Sequence, residues 1–421
     1  MKPSYRISRA LRRLLDVRAY TVIPLLSAVQ RAGIAASSGT RREERLAAFE
    51  WWRGNGPEAV RHWRALEAKQ PERAAWPLKI AQATKEDGDI DEAERVLFAA
   101  RERGIGGEAL ELDLLRYARL SRRSNSATDD AEAIVADPGA PDAKVLFAAY
   151  HLITQNRLAG ARTGLERVAA NPKYRALSLG YLAATETLAR AQADGRPQMP
   201  GRVSPALNSI LVREPSSDTL VVGFALPEGT LGLPLNATHA MLSSAGVNGL
   251  YLHDSRNLYH LAGTDRFGPG YRAMIDGIRG IAAELGVKRL ITVGGSATGY
   301  TALRTAMDLD ADGALVFSPA TLMLPTARPE NARGAYTLVR LKQNVRPMME
   351  DLRPRLAARK SPPRIAVYYS ASNNRDIMHA SNMVGVWGVE LHPVEGLGRH
   401  DSLTEMAHRG YHDLLDAFAA K

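Results

Sequence analysis

The chain has 421 residues, 45% hydrophobic and 24% charged, with a net charge of +10 and no cysteine. That length exceeds what one hydrophobic core usually serves, so two domains of roughly 200 residues are expected, and the composition excludes a disordered chain. Without cysteine there is no disulfide framework, no thiolate nucleophile and no cysteine-ligated metal, so a covalent nucleophile would have to be serine.

The first segment, residues 1–39, is basic and amphipathic. Lys2, Arg6, Arg9, Arg12, Arg13, Arg18 and Arg31 stand against a single acid, Asp16, with Leu11, Leu14, Leu15, Val17, Ile23, Leu25 and Leu26 interleaved. Much of the charge excess is therefore local, and nucleic acid is not the expected partner. Such a segment could lie on an anionic membrane surface, contact an acidic partner or be a solvated helix. Charges interrupt the run where a secretory signal would have its apolar core, and no stretch approaches about 18 uninterrupted apolar residues. The expectation is a cytoplasmic protein, with contact at the inner membrane surface left open.

Residues 40–190 carry a repeat of 34 residues. Ala59 and Ala93 lie 34 apart, Ala161 lies 68 further on, and Ala127 falls at the intervening step. Each full unit has a turn of the type Gly54-Asn-Gly-Pro, Gly88-Asp-Ile-Asp or Asn156-Arg-Leu before its alanine, with Arg122 replacing the turn residue in the middle unit. Upstream, Leu46-Ala47, Ile80-Ala81, Leu114-Leu115 and Ala148-Ala149 fall in register; downstream, Trp63, Leu97, Ala131 and Leu165 do. Small residues let antiparallel helices approach and large apolar ones fill between them. Pro71 and Pro172 close the first and last units. The spacing resembles tetratricopeptide repeats, which implies a scaffold that binds a protein partner.

From 191 to 217, glycine, proline and serine accumulate and the helical spacing is lost, which reads as a linker. Residues 218–421 then alternate strands at 219–225, 248–252, 289–293, 313–317, 364–369 and 389–394 with helices at 235–245, 268–286, 298–308, 342–358, 376–387 and 402–419. Continuous apolar strands between helices indicate a mostly parallel sheet covered on both faces, with sites at the strands' C-terminal ends.

One strand end has the pattern of a nucleophile elbow. The run Gly294-Gly-Ser-Ala-Thr-Gly-Tyr300 joins a strand directly to a helix, which would expose Ser296 on a sharp turn. The N–H of Ala297, at the helix N-terminus, is a candidate oxyanion donor, and the N–H of Leu226, after the first strand, is the second. Thr298 stands where G-x-S-x-G has its second glycine. The same run has the glycine spacing of a P-loop over 294–301, with Tyr300 in place of the lysine, which leaves nucleotide binding as a minor alternative.

Later strand ends supply an acid and a base in the order an α/β-hydrolase uses: Asp376 after the strand ending at 369, and His400 after the strand ending at 394. Histidine would take and return the serine proton while the acid fixes its tautomer. Asp376 could instead cap its helix, and His400 could be a loop residue beside Asp401. His379 and His392 read as structural, and His253 and His260, flanking Asp254, read as loop hydrogen-bonding groups.

The runs Leu252-His-Asp-Ser-Arg-Asn-Leu-Tyr-His-Leu-Ala-Gly263, Val316-Phe-Ser-Pro319 and Asp376-Ile-Met-His-Ala380, with the serine turn, resemble a group of bacterial α/β-hydrolase-like proteins, some fused to tetratricopeptide repeats. The resemblance implies a Ser296, Asp376, His400 triad and does not name a substrate. The expectation is a helical repeat domain followed by an α/β-hydrolase-like domain: a serine esterase or acyltransferase with no cofactor or metal, acting on an ester or acyl substrate, with repeats that recruit a partner or polymer. The rival, prompted by Thr298, is a non-catalytic binding or scaffold protein built on a degenerate hydrolase domain.

Overall fold

The computed structural model describes residues 32–118, 124–203, 207–244, 246–325, 332–396, 400, 402–411 and 413–415. The basic segment 1–31, Arg122 and Asp401 lie outside them.

The N-terminal region is helical. It runs through α1 (Gly39–Trp52), α2 (Gly56–Lys69), α3 (Ala75–Glu86), α4 (Ile90–Glu102), α5 (Glu108–Ala118), α6 (Ser124–Ala136), α7 (Asp142–Thr154), α8 (Leu158–Val168) and α9 (Arg175–Ala193). The even-numbered helices α2, α4, α6 and α8 begin 34 residues apart. The turns before α2, α4 and α8 each contain a left-handed residue at the same phase: Gly54, Gly88 and Asn156. At Gly88 the need for glycine is also steric, because a Cβ there would meet the Ser255 carbonyl oxygen. Ala47, Ala59, Ile80, Ala81, Ala93, Leu97, Ala148, Ala149, Ala161 and Leu165 are fully buried, so the in-register positions form the helix–helix seams. A core from Ala47 to Tyr117, joined by Tyr336, fills the first hairpins and a second, from Ala131 to Leu188, fills the last ones.

The C-terminal region is a seven-stranded sheet in the order β1-β3-β2-β6-β7-β8-β9, parallel except for β1. Its strands are β1 (Ser209–Val212), β2 (Thr219–Phe224), β3 (Asn248–Leu252), β6 (Arg289–Gly295), β7 (Gly313–Phe317), β8 (Arg364–Ser370) and β9 (Val389–Val394), while β4 (Gly263–Thr264) and β5 (Gly268–Pro269) make a separate short hairpin. The helices are α10 (Leu235–Leu242), α11 (Tyr271–Leu285), α12 (Ser296–Leu309), α13 (Ala332–Val345), α14 (Leu352–Ala357), α15 (Asn374–Ser381) and α16 (Ser402–His408). A helical N-terminal region followed by a mostly parallel sheet agrees with an α/β-hydrolase architecture. Alternate residues of β2 feed opposite faces, Leu220, Val222 and Phe224 packing into one core and Val221 into the other, as a strand period of two requires.

Two expectations need correction. The stretch 191–217 is not simply a linker, because it contains β1, which pairs antiparallel with β3. Nor is 342–358 one helix: α13 ends at Val345, a short 3₁₀ turn with Pro347 follows, and α14 begins at Leu352. Proline has no N–H to continue the ladder.

The helical region packs on the α/β region through specific pairs. Trp51 stacks on Tyr336 with ring centroids 3.9 Å apart, and the Tyr336 hydroxyl donates to Asp87. Arg340 donates to the Glu86 carbonyl, and Asn257 donates to the Glu86 carboxylate at 2.9 Å. At the far end, Asn236 donates to the Ile153 carbonyl at 2.9 Å, and Gly180 of α9 lies against Thr404 of α16. Among the described residues no helix is long and apolar enough to cross a membrane.

Candidate active site

Strand order reverses at β2, whose neighbours are β3 and β6, so the loops leaving β2 and β6 diverge and open a crevice above the sheet. Ser296 sits at the end of β6. Strand and helix meet with no intervening loop, β6 ending at Gly295 and α12 beginning at Ser296. The reversal is made by Ser296 itself, whose φ is +50°, a conformation that costs a residue with a Cβ about 1–2 kcal/mol.

Surrounding contacts hold that strain. A Cβ on Gly294 would lie 2.5 Å from the Thr298 carbonyl oxygen, so only glycine lets the first helical turn fold back over the strand. The Ala320 N–H donates to the Ser296 carbonyl at 2.8 Å. Thr298, the departure from G-x-S-x-G, is buried, and its hydroxyl donates to the Gly295 carbonyl at 2.9 Å and accepts from the Gly295 N–H at 3.3 Å. The close approach that demands a small residue falls one position later, where a Cβ on Gly299 would meet Pro319 at 2.7 Å. Thr298 thus braces the turn.

His400 and Asp376 converge on this serine from the ends of β9 and β8. His400 Nε2 is 2.6 Å from Ser296 Oγ, and Nδ1 is 2.5 Å from Asp376 Oδ1. An ionised carboxylate only accepts, so Nδ1 carries the proton, and Nε2 is left to accept from the serine hydroxyl. Asp376 is buried, and its other oxygen accepts from the Ser370 N–H at 3.2 Å. Burial pushes its pKa up, but the hydrogen bonds from His400 and the Ser370 N–H, with the Ser318 hydroxyl close by, outweigh this and hold the carboxyl below its ordinary value. The helix-capping role open to Asp376 belongs instead to Asn373, whose side chain accepts from the N–H groups of Arg375 and Asp376.

Ser318 had no role assigned from sequence. It follows β7, has φ +44°, helps to hold the Asp376 carboxyl below its ordinary pKa, and its hydroxyl donates to Ser402 Oγ at 3.0 Å, at the start of the helix after His400. The only sequence signal was its place after a strand, in Phe-Ser-Pro.

The remaining candidates separate clearly. The Ala297 N–H lies in the first turn of α12, among the backbone donors that an α-helix leaves without intrahelical acceptors. Leu226 does not fit the second oxyanion position, because its N–H donates to the Thr230 carbonyl at 2.7 Å, inside a tight turn that Gly229 closes at φ +76°. The P-loop alternative is also overturned. There is no cradle between strand and helix, the Tyr300 hydroxyl donates to the Met348 carbonyl, and Thr301 is buried and donates to the Tyr259 carbonyl.

The other histidines singled out from sequence have their own partners. His253 Nδ1 pairs with Asp265 at 2.8 Å, and His260 Nε2 meets the Ala225 carbonyl at 2.8 Å. Asp254 accepts from the N–H groups of Arg256, Leu258 and His260, which ties the loop after β3. His379 Nδ1 accepts from the Thr321 N–H at 3.3 Å, and His392 stacks on Tyr368.

No family model matches the chain, and no curated protein matches it. Among solved structures it is similar to a thermophilic esterase of the planctomycete Thermogutta terrifontis with butyrate bound. That pair shares 18% identity at a TM-score of 0.33, over 50% of this chain and 88% of the esterase. It is also similar to esterase 2 of Thermogutta terrifontis phosphonylated by sarin, at 18% identity and a TM-score of 0.36, over 53% of this chain and 96% of that one.

Proposed function

We propose that the chain is a serine hydrolase that cleaves an ester through an acyl-enzyme on Ser296, with His400 as general base and acid and Asp376 as its orienting acid. The observation that carries this reading is the hydrogen-bonded line Ser296–His400–Asp376, assembled on a left-handed serine. Ser296 Oγ attacks the ester carbonyl carbon as Nε2 takes its proton, and the Ala297 N–H receives charge developing on the carbonyl oxygen. The acyl–oxygen bond then breaks and the leaving alcohol takes the proton from Nε2. Water, deprotonated by the same nitrogen, releases the acid and restores the serine; an alcohol acceptor in its place gives acyl transfer.

The helical region, with its 34-residue spacing, belongs in this reading with tetratricopeptide-like repeats. The non-catalytic alternative rested on Thr298, and the hydrogen bonds of that residue support the elbow instead. A fluorophosphonate probe is expected to label the wild-type chain at Ser296 and to leave Ser296→Ala unlabelled. Equal labelling of both would refute the assignment.

A further inference from the structure

A cavity of about 220 Å³ lies between the helical region and the loop after β2. Its walls are Leu146, Phe147 and Tyr150 of α7, Leu177 and Tyr181 of α9, and Leu226, with Arg202 and Glu228 among its charged groups. Each wall is tied, through residues next to its lining, to segments that carry the catalytic pair. On the loop side, the cavity residue Gly232 follows Leu231, whose carbonyl oxygen lies 3.4 Å from where a Cβ on Gly295 would sit, beside Ser296. On the helix side, Leu177 and Tyr181 flank Gly180, which packs on Thr404, four residues beyond His400. The Tyr150 hydroxyl closes the seam by donating to the Gly232 carbonyl at 3.0 Å, and its ring meets Tyr181 edge-on.

We infer that this cavity receives the acyl chain of the substrate, so that the helical repeats form one wall of the active site. The inference rests on the hydrolase reading above. The lining is mostly aliphatic and aromatic; of its two charged groups Glu228 is held by Lys85 at 3.1 Å and the buried Arg202 is itself engaged, so the occupant that fits is a hydrocarbon chain. A cavity of about 150 Å³ accommodates benzene; by that ratio this one takes roughly nine carbon-sized atoms, the scale of a hexanoyl to octanoyl group.

The test is a series of p-nitrophenyl esters from acetate to dodecanoate, turned over by the full chain. For the wild type, kcat/KM is expected to rise at least ten-fold from acetate to octanoate and to fall at dodecanoate. Leu177→Trp, which fills the cavity, should lower the octanoate-to-acetate ratio at least ten-fold, whereas Phe147→Ala, which widens it, should move the optimum to a longer ester. Opposite shifts cannot come from a general loss of folding. A flat wild-type profile, or a ratio unmoved in both variants, overturns the inference while leaving ester hydrolysis in place. No turnover of any ester together with no fluorophosphonate label on Ser296 overturns the hydrolase reading and this inference with it.

Discussion

Replacing Asp376 by asparagine isolates what the carboxylate does, because the neighbours dictate how the amide must sit. The Ser370 N–H, 3.2 Å from Asp376 Oδ2, needs an acceptor, so the amide oxygen takes that side and the NH₂ faces His400. Nδ1 must then accept, which moves the ring proton to Nε2, where it points at Ser296 Oγ and removes the base. In a serine protease of unrelated fold this wrong-tautomer state lowers kcat by about 10⁴, roughly 5 kcal/mol at 1.36 kcal/mol per decade. The same order is expected here, read as kcat on a p-nitrophenyl ester and as the rate of fluorophosphonate labelling. Ser318→Ala removes a hydroxyl that lowers the carboxyl's pKa but keeps the carboxylate charge and its bond to Nδ1, so its loss should stay near ten-fold. An Asp376→Asn enzyme within ten-fold of wild type would refute the assignment of Asp376 as the orienting acid.

Two further predictions test the coupling of the site to the fold. In Gly180→Ala the new Cβ would fall about 2.6 Å from the Thr404 carbonyl oxygen, so α9 must push α16 and with it His400; a displacement near 1 Å costs about 10² in rate, and an unchanged labelling rate would show that the helical region does not position the base. The second concerns His239, whose Nδ1 lies 2.7 Å from the Tyr251 hydroxyl and whose pKa burial pushes down to about 4. The unfolded chain binds this proton at about 6.5 and the folded chain does not until about 4, so stability is full above pH 6.5 and falls as pH drops through that window. Between pH 7.5 and 5 the wild type should lose roughly 2 kcal/mol through this residue, at 1.36 kcal/mol per unit, and His239→Asn should flatten that part of the urea-unfolding profile; an equal slope in both would assign the pH dependence elsewhere.

Much of the architecture was legible because it is local. Strands at 248–252, 313–317 and 389–394 coincide with β3, β7 and β9, since runs such as Gly313-Ala-Leu-Val-Phe317 can be buried on both faces only inside a parallel sheet. The helix hairpins were legible through alanines such as Ala59, Ala93 and Ala161, which are fully buried. β1 was missed because it has only four residues among proline and glycine, and its antiparallel pairing with β3 is a long-range choice. Leu226 was misassigned because its N–H is consumed by a tight turn, although Leu-Pro-Glu-Gly229 is itself a turn signal.

By itself the sequence determined the order of elements and the residue types at the strand ends: a serine after β6, a carboxylate after β8 and an imidazole after β9. These follow from short-range periodicity and turn chemistry, which the chain encodes within about ten residues. Only the tertiary structure decided that the three side chains meet. It also decided that Thr298 braces the elbow, that Ser318 lies close enough to the acid to lower its pKa, and that two helices of the N-terminal region and the loop after β2 wall one cavity. Each of those depends on contacts between segments from 24 to more than 100 residues apart or on a single backbone reversal, and neither leaves a periodic trace in the sequence.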